Sequence, residues 1–325
     1  MPNKQVTALD NGTKLISFIV PFYNTPIDML SQCIESILSL PLSPDEREII
    51  LIDDGSNPSP KKAIERFRHS VVYIRTLHQG VSEARNTGLQ MANGQYIQFI
   101  DGDDYLISEG YSHCIALMRQ RQADLVLFNH TCNNKTAHTP YHEEEAESGC
   151  MYMLKHNIRG AVWGYAFRRD VLKTLRFTKG VRYGEDEEFT PQLLLQAGKT
   201  IHTTATAYFY RQHSTSALHI SNVQERLNEN LNVILRLKQT CQTKQGIEAK
   251  ALERRVAQLT MDYLYNALTH LPSFPQIEKR VKALTEQGLF PLPYRNYTLK
   301  YKWFRRITLS RFGRKLLYAL LLKNV

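Results

Sequence analysis

QYIQFIDGDDY (residues 95–105) closes an apolar run with three carboxylates in four positions, Asp101, Asp103 and Asp104, around Gly102. The apolar half reads as a strand buried on both faces, as strands of a mostly parallel sheet covered by helices must be. Outward from it the pattern repeats. LISFIVP (15–21), EIILID (48–53), VVYIR (71–75) and DLVLFN (124–129) read as further strands. Amphipathic stretches at about 29–40, from Pro60, at about 80–91 and at about 109–121 separate them as helices. This alternation predicts an α/β fold with a Rossmann-like, mostly parallel central sheet flanked by helices. In such sheets the functional loops lie at the carboxyl ends of the strands, and here those ends read PFYNT, DDGSN and DGDDY.

Residues 130–149 are polar and read as a loop or irregular excursion. The sheet then resumes with AVWGYAF (161–167), a helix over about 186–197 and TAYFYRQ (206–212). From about Asn222 the texture changes to long helical stretches with apolar residues at three-and-four spacing. We place a boundary near 220, giving a catalytic and nucleotide-binding domain over 14–220, a helical region over 221–290 and a basic aromatic tail over 291–325.

A chain of 325 residues, 42% hydrophobic, supports one large or two moderate cores. Its five cysteines are odd in number, scattered and without a Cys-x-x-Cys pair, which suits free thiols in a reducing compartment. No signal-length apolar segment opens the chain, and the longest C-terminal apolar run, LLYALLL (316–322), is far short of a membrane span, so the expected location is cytoplasmic. The net charge of +10 is concentrated after Glu286, where nine Lys or Arg residues stand with no Asp or Glu. That is a statement about the tail's partner.

A dinucleotide reading fails because the first strand is followed by PFYNTP, without a Gly-x-Gly-x-x-Gly turn, and no Walker-type loop is present. A nucleotide on this sheet therefore needs another source of positive charge. Carboxylates at i and i+2 in a sharp turn converge on one hard cation and leave positions open for substrate phosphates. The competing reading is a turn of good turn formers, with Asp104 capping the next helix. Mutual repulsion of three close acids and their position at a strand's functional end favour the metal. The second cluster, Glu185, Asp186, Glu187 and Glu188 in GEDEEF, reads either as acids suited to a helix N-terminus or as the home of a general base. Spacing alone does not choose between them.

Taken in order, FIVPFYN (18–24), LIDDGS (51–56), GVSEARNTGLQMANGQYIQFIDGDD (80–104), VWGYAFRRDVL (162–172) and YGEDEEF (183–189) resemble the successive motifs of family 2 glycosyltransferases, over roughly residues 14–216. The resemblance implies a GT-A fold, a nucleotide-sugar donor with UDP the commonest carrier, a divalent cation (Mn²⁺ or Mg²⁺) and inversion at the anomeric carbon. It implies a glycan or lipid-linked acceptor, in surface polysaccharide biosynthesis. Carried over by motif, Pro21 and Tyr23 line the base pocket, Asp53 and Asp54 lie beside base and ribose, and Arg85 approaches the donor. Asp101 and Asp103 match the family's Asp-x-Asp, contacting ribose and metal, with Asp104 a third candidate ligand. Asp186 matches the general base, flanked by Glu185. Trp163 is a candidate for stacking on a sugar face, Arg211 for meeting the diphosphate and His213 for the metal shell, although a capping turn suits His213 as well.

One departure stands out. Many relatives carry Asn-Lys after the tryptophan of the fourth motif, whereas Gly164 and Tyr165 stand here, so a cationic contact is missing. Two other enzyme classes use similar acids. A nucleotidyltransferase needs a glycine- and basic-rich loop after its first strand and a phosphohydrolase a nucleophilic aspartate there, and PFYNTP supplies neither. A non-catalytic sugar- or nucleic-acid-binding protein is the third reading. The tail mixes Trp303, Phe304, Phe312 and Tyr318 with cations, a composition suited to an anionic membrane surface, to nucleic acid or to charges turned outward over the protein's own helices. With the enzyme resemblance, the expectation is a peripheral position at the inner membrane face.

Overall fold

The computed structural model describes residues 14–133, 140–212, 222–295 and 297–322. It divides into two compact units that do not follow chain order. The first holds the described residues up to Ser148, with Ala161–Arg182 and Gln196–Gln212; the second holds Gly149–Gly160, Tyr183–Leu195 and the described residues after Gln212. A single boundary near 220 therefore does not separate them.

The first unit is built on strands β1 (Ile16–Phe22), β2 (Arg47–Asp53), β3 (Val72–Arg75), β4 (Tyr96–Phe99), β5 (Tyr105–Leu106), β6 (Leu125–Thr131), β7 (Tyr165–Arg168) and β8 (Thr200–Phe209). Among the described residues they form one sheet in the order β3-β2-β1-β4-β7-β6-β8-β5. Five strands read as expected from their apolar runs, and β1 pairs in parallel with both β2 and β4. The second half is mixed, because β7 runs antiparallel between β4 and β6, while β5 is a two-residue strand antiparallel to β8. Helices α1 (Ile27–Leu38), α2 (Val81–Met91) and α3 (Ser108–Arg121) belong to this unit. The helix expected from Pro60 is instead two short 3₁₀ turns, Pro60–Lys62 and Glu65–Phe67. Its buried anchors, Ile64 and Phe67, lie three residues apart, the repeat of that tighter helix.

The strand order reverses at β1, the kind of switch point where α/β sheets open a crevice. Backbone groups of β1 alternate between its neighbours. Tyr96 and Ile100 donate to the carbonyls of Leu15 and Ile19, on the β4 side, whereas Ile16 donates to Glu46 and Phe22 accepts from Asp54, on the β2 side. Pro21 falls on the β4 side, where it has no N–H to give. The β1–β4 ladder accordingly ends at Ile19–Phe99, while the β1–β2 ladder continues to Phe22–Asp53. The two strands are free to part just where the carboxylates begin.

The second unit is helical: α4 (Gly149–Lys155), most of α5 (Glu185–Gln196), α6 (Val223–Gln242), α7 (Gly246–His270), α8 (Phe274–Glu286), α9 (Leu299–Thr308) and α10 (Arg311–Leu322). Arginines draw the two mid-chain stretches into it. Arg254 of α7 donates to the carbonyls of Leu154 and Lys155, and Arg255 to that of Ile158, so cations close the end of α4. Arg255 also pairs with Glu187 and Arg236 of α6 with Glu188, fixing the first turns of α5. Among the described residues no helix is long and apolar enough to cross a membrane.

Candidate active site

In the first unit, the carboxyl ends of β1, β2 and β4 and the head of α2 carry the predicted residues. The ARNTG segment (84–88) carries Arg85, whose buried side chain lies over the rings of Phe99 and Phe177 and reaches 3.1 Å from the Asp101 carboxylate. Asn86 exchanges two hydrogen bonds of 2.9 Å with the backbone of Phe177, a structural task. Gly88 lets the helix lie on the sheet, since a Cβ there would meet the Ile19 side chain at 2.2 Å. One motif therefore sets a cation, a brace and a close approach.

The DGDD loop owes its path to Gly102, whose hypothetical Cβ would lie 2.7 Å from that of Phe22. Each acid then has a distinct setting. Asp101 keeps its side chain 29% exposed beside Arg85, and Asp103 is half-buried with its carbonyl accepting from Arg211 Nε at 2.7 Å. Asp104 turns inward, taking bonds of 2.7 Å from the Tyr208 hydroxyl and the Arg211 N–H. Burial, then the nearby Asp101 charge, pushes the Asp104 carboxyl up to about 8. The same field acts on Cys33 and Tyr208: burial raises both, and Asp104 and Asp101 add to it. The loop is a region of negative potential.

Arg211 is pinned, its guanidinium also reaching Gln32 at 2.5 Å and lying over the Tyr105 ring. Trp163 is buried, stacked on Tyr208 at 4.4 Å between ring centres and facing Tyr210 at 5.7 Å. One face of the indole is thus occupied by the protein itself. Behind it, the buried amide of Gln98 donates to the Trp163 carbonyl and accepts from the Tyr111 hydroxyl.

At the end of β2 the acids are inward-facing. Asp53 accepts from Ser56 N–H at 2.7 Å and the Tyr73 hydroxyl at 2.6 Å, with Arg75 nearby. Asp54 accepts from the N–H groups of Gln79 and Gly80 at 2.8 Å, tying β2 to the residue that starts α2. His78 Nδ1 lies 2.9 Å from Asp54, and its ring stacks on exposed Tyr23 with centroids 4.0 Å apart. Tyr23 and His78 form a flat, exposed aromatic pair beyond the carboxyl ends of β1 and β3.

The candidate base lies in the second unit. Glu185 and Asp186 open α5, whose next two acids, Glu187 and Glu188, are the partners of Arg255 and Arg236. Glu187 and Glu188 thus hold the first turns of the helix in place. Tyr183 N–H donates to Glu229 at 2.8 Å, anchoring the approach to the helix on α6. His213 lies outside the described residues.

Among the described residues no group of three or more His, Cys, Asp or Glu side chains is gathered to enclose a metal. Asp101 and Asp103 nevertheless offer hard oxygen donors in a region of negative potential. Magnesium-type cations are held by one or two carboxylates with the rest of the shell left to water and substrate phosphates, so the residues fit such an ion.

Residues 17–176 match the family model described as Glycosyl transferase family 2. The chain belongs to the family 2 glycosyltransferases. It is 31% identical over 221 residues to the glycosyltransferase EpsJ of Bacillus subtilis, covering 63% of each chain. The poly(ribitol-phosphate) β-N-acetylglucosaminyltransferase TarS of Staphylococcus aureus is 24% identical over 217 residues, and the chain spans 37% of its length. Residues 1–349 of TarS, solved with UDP-GlcNAc, superpose with a TM-score of 0.68 at 16% identity over 95% of this chain and 91% of that one. A mannosyltransferase of Pyrobaculum calidifontis, solved with GDP-Man and Mn²⁺, gives a TM-score of 0.57 at 14% identity over 94% and 86%. These likenesses carry the GT-A fold.

As a family 2 glycosyltransferase domain, the first unit holds more of the motif residues' partners than the sequence revealed. His78, Tyr73, Arg75 and Tyr208 were not singled out, although they orient Tyr23, Asp53 and Asp104. Only His78 had a local signal, standing between a strand and a glycine that opens a helix.

Proposed function

We propose that this glycosyltransferase moves a sugar from a nucleoside-diphosphate donor, UDP-linked in the first instance, to a hydroxyl of a glycan or lipid-linked acceptor, with inversion at the anomeric carbon and dependence on Mn²⁺ or Mg²⁺. The observation that carries this reading is the placement of Asp101 and Asp103 on a glycine-enabled loop at the sheet's switch point, with Arg85 beside Asp101. The UDP-GlcNAc and the GDP-Man with Mn²⁺ named for the two solved relatives agree with it.

Each side chain then has a task. Tyr23 and His78 stack on the base, and Asp53 and Asp54 hold the loops that shape its pocket. Pro21 parts the strands. Arg85 sets the orientation of Asp101, which meets the ribose and, with Asp103, holds the cation. When bound, that cation neutralises charge on the departing diphosphate, work suited to a Lewis acid at oxygen. Asp104 and Arg211 are positioning residues that fix the loop, and Trp163 backs them through Tyr208. Asp186 takes the proton from the acceptor hydroxyl as its oxygen attacks the anomeric carbon, and Glu185 shapes its field.

A thermal-shift panel of nucleotide sugars, with and without Mn²⁺, tests the assignment. The expected result is stabilisation by one donor that requires the metal; at a hundred times its dissociation constant the gain is about 2.7 kcal/mol. No shift with any donor overturns it.

A further inference from the structure

The C-terminal helices divide their residues cleanly. In α9, Tyr301, Phe304 and Thr308 are buried; in α10, Gly313, Arg314 and Tyr318 are. Arg314 places its guanidinium on Glu278 of α8 at 2.7 and 2.8 Å and donates to the Thr308 carbonyl, and Arg305 donates to the Leu292 carbonyl. Two of the tail's cations therefore hold the helices down and do not face a partner.

The other faces are built alike. α9 exposes Leu299, Trp303 and Ile307, spaced i, i+4, i+8, and α10 exposes Phe312, Leu316 and Leu320 at the same spacing. Each row is one ridge along a helix. The cations sit beside the ridges: Lys302 and Arg306 each precede a ridge residue of α9, and Arg311 and Lys315 each precede one of α10. Lys302, Arg306 and Lys315 are exposed and make no ion pair among the described residues, and Arg311, mostly exposed, lies 3.8 Å from Glu278. No acidic residue follows Glu286 anywhere in the chain.

We propose that α9 and α10 dock the protein on an anionic phospholipid bilayer, the two ridges entering the boundary between headgroups and acyl chains while Lys302, Arg306, Arg311 and Lys315 meet lipid phosphates. An amphipathic face of this composition is what binds in the interface plane, its apolar ridge and flanking cations acting together. Other occupants fit less well. Single-stranded nucleic acid stacks on aromatic rings, and four of the six ridge residues are aliphatic. A second copy laid face to face would set cation rows against each other with no acid to answer them. This surface is outside the transfer chemistry, so it stands or falls separately from the proposed reaction.

Vesicle binding tests it, with a built-in probe. Of the two tryptophans, Trp163 is buried and Trp303 is 59% exposed, so a solvent-dependent emission reports the surface one. Full-length protein is titrated with vesicles of phosphatidylcholine alone or with phosphatidylglycerol added. We expect co-sedimentation and a blue shift with the anionic vesicles only, both weakened by 1 M salt, which shortens screening to about 3 Å. Trp303→Ala with Phe312→Ala, and separately Lys302→Glu with Arg306→Glu and Lys315→Glu, should each weaken co-sedimentation about tenfold or more, while melting temperature and the donor-induced thermal shift stay unchanged. Absence of binding to anionic vesicles overturns the proposal, as does binding that both variants retain. So does a blue shift produced by an oligonucleotide or by protein concentration and not by vesicles.

Discussion

The guanidinium of Arg85 lies 3.1 Å from the carboxylate of Asp101 and over the faces of Phe99 and Phe177. A buried cation at the head of α2 thus sets the orientation of the acid that opens the DGDD loop. Arg85→Ala leaves Asp101 without that cation and the pocket without the packing of the guanidinium. Because the Asp101 side chain is 29% exposed, we expect a loss nearer about 2 kcal/mol than the larger cost of a fully buried pair. Chemical denaturation of Arg85→Ala, Asp101→Asn and the double variant checks this. The double variant should lose less than the sum of the two single ones.

Gly102→Ala places a methyl group 2.7 Å from the Cβ of Phe22, so the loop or the end of β1 must move. We expect a destabilisation of about 1–3 kcal/mol, of the size seen for overpacking, together with weaker donor affinity. Calorimetric donor titration beside a melting curve measures both. An alanine variant that binds donor as tightly as the parent would show that the loop's path does not matter to the site.

The stack of Tyr23 on His78 predicts a binding effect without a chemical one. Tyr23→Ala and His78→Ala should each raise the donor KM about five- to tenfold, the worth of one aromatic contact, with kcat little changed. The effect should follow the base and not the sugar, which competition by free nucleoside diphosphates checks.

The arginine pairs at the start of α5 predict an effect on stability. Glu188 receives three contacts of 2.7–3.0 Å from Arg236, and Arg255 pairs with Glu187. Arg236→Ala removes these contacts from a carboxylate that is 8% exposed, so the melting temperature should fall.

Much of this architecture was legible because its strands are apolar on both faces and its candidate site acids follow them directly. ISFIV and IILI identify themselves, and FIDGDD announces a strand end and its charge together. Direction was not legible: the four residues of β7 carry no signal that they run antiparallel between β4 and β6. Nor was the division into units, because it rests on pairs such as Arg255–Glu187, which are 68 residues apart. The candidate site shows the same limit. Asp53, Asp54 and Asp104 are visible in the sequence as acids after strands, but their inward bonds to Tyr73, Gly80 and Tyr208 are tertiary facts. In the run EDEE, the pairing of Glu187 with Arg255 and of Glu188 with Arg236 is likewise a tertiary fact.

The central claim is that the acids of two loops have two jobs, Asp103 in holding the donor and Asp186 in activating the acceptor. It is tested most directly by measuring donor binding and donor turnover in Mn²⁺ for the parent, Asp103→Asn and Asp186→Asn, with an EDTA control. Asp103→Asn should lose metal-dependent donor binding. Asp186→Asn should bind donor like the parent but release nucleoside diphosphate at least about a hundredfold more slowly, the scale of a lost general base. Full turnover by Asp186→Asn, or donor binding indifferent both to Mn²⁺ and to Asp103, would contradict it.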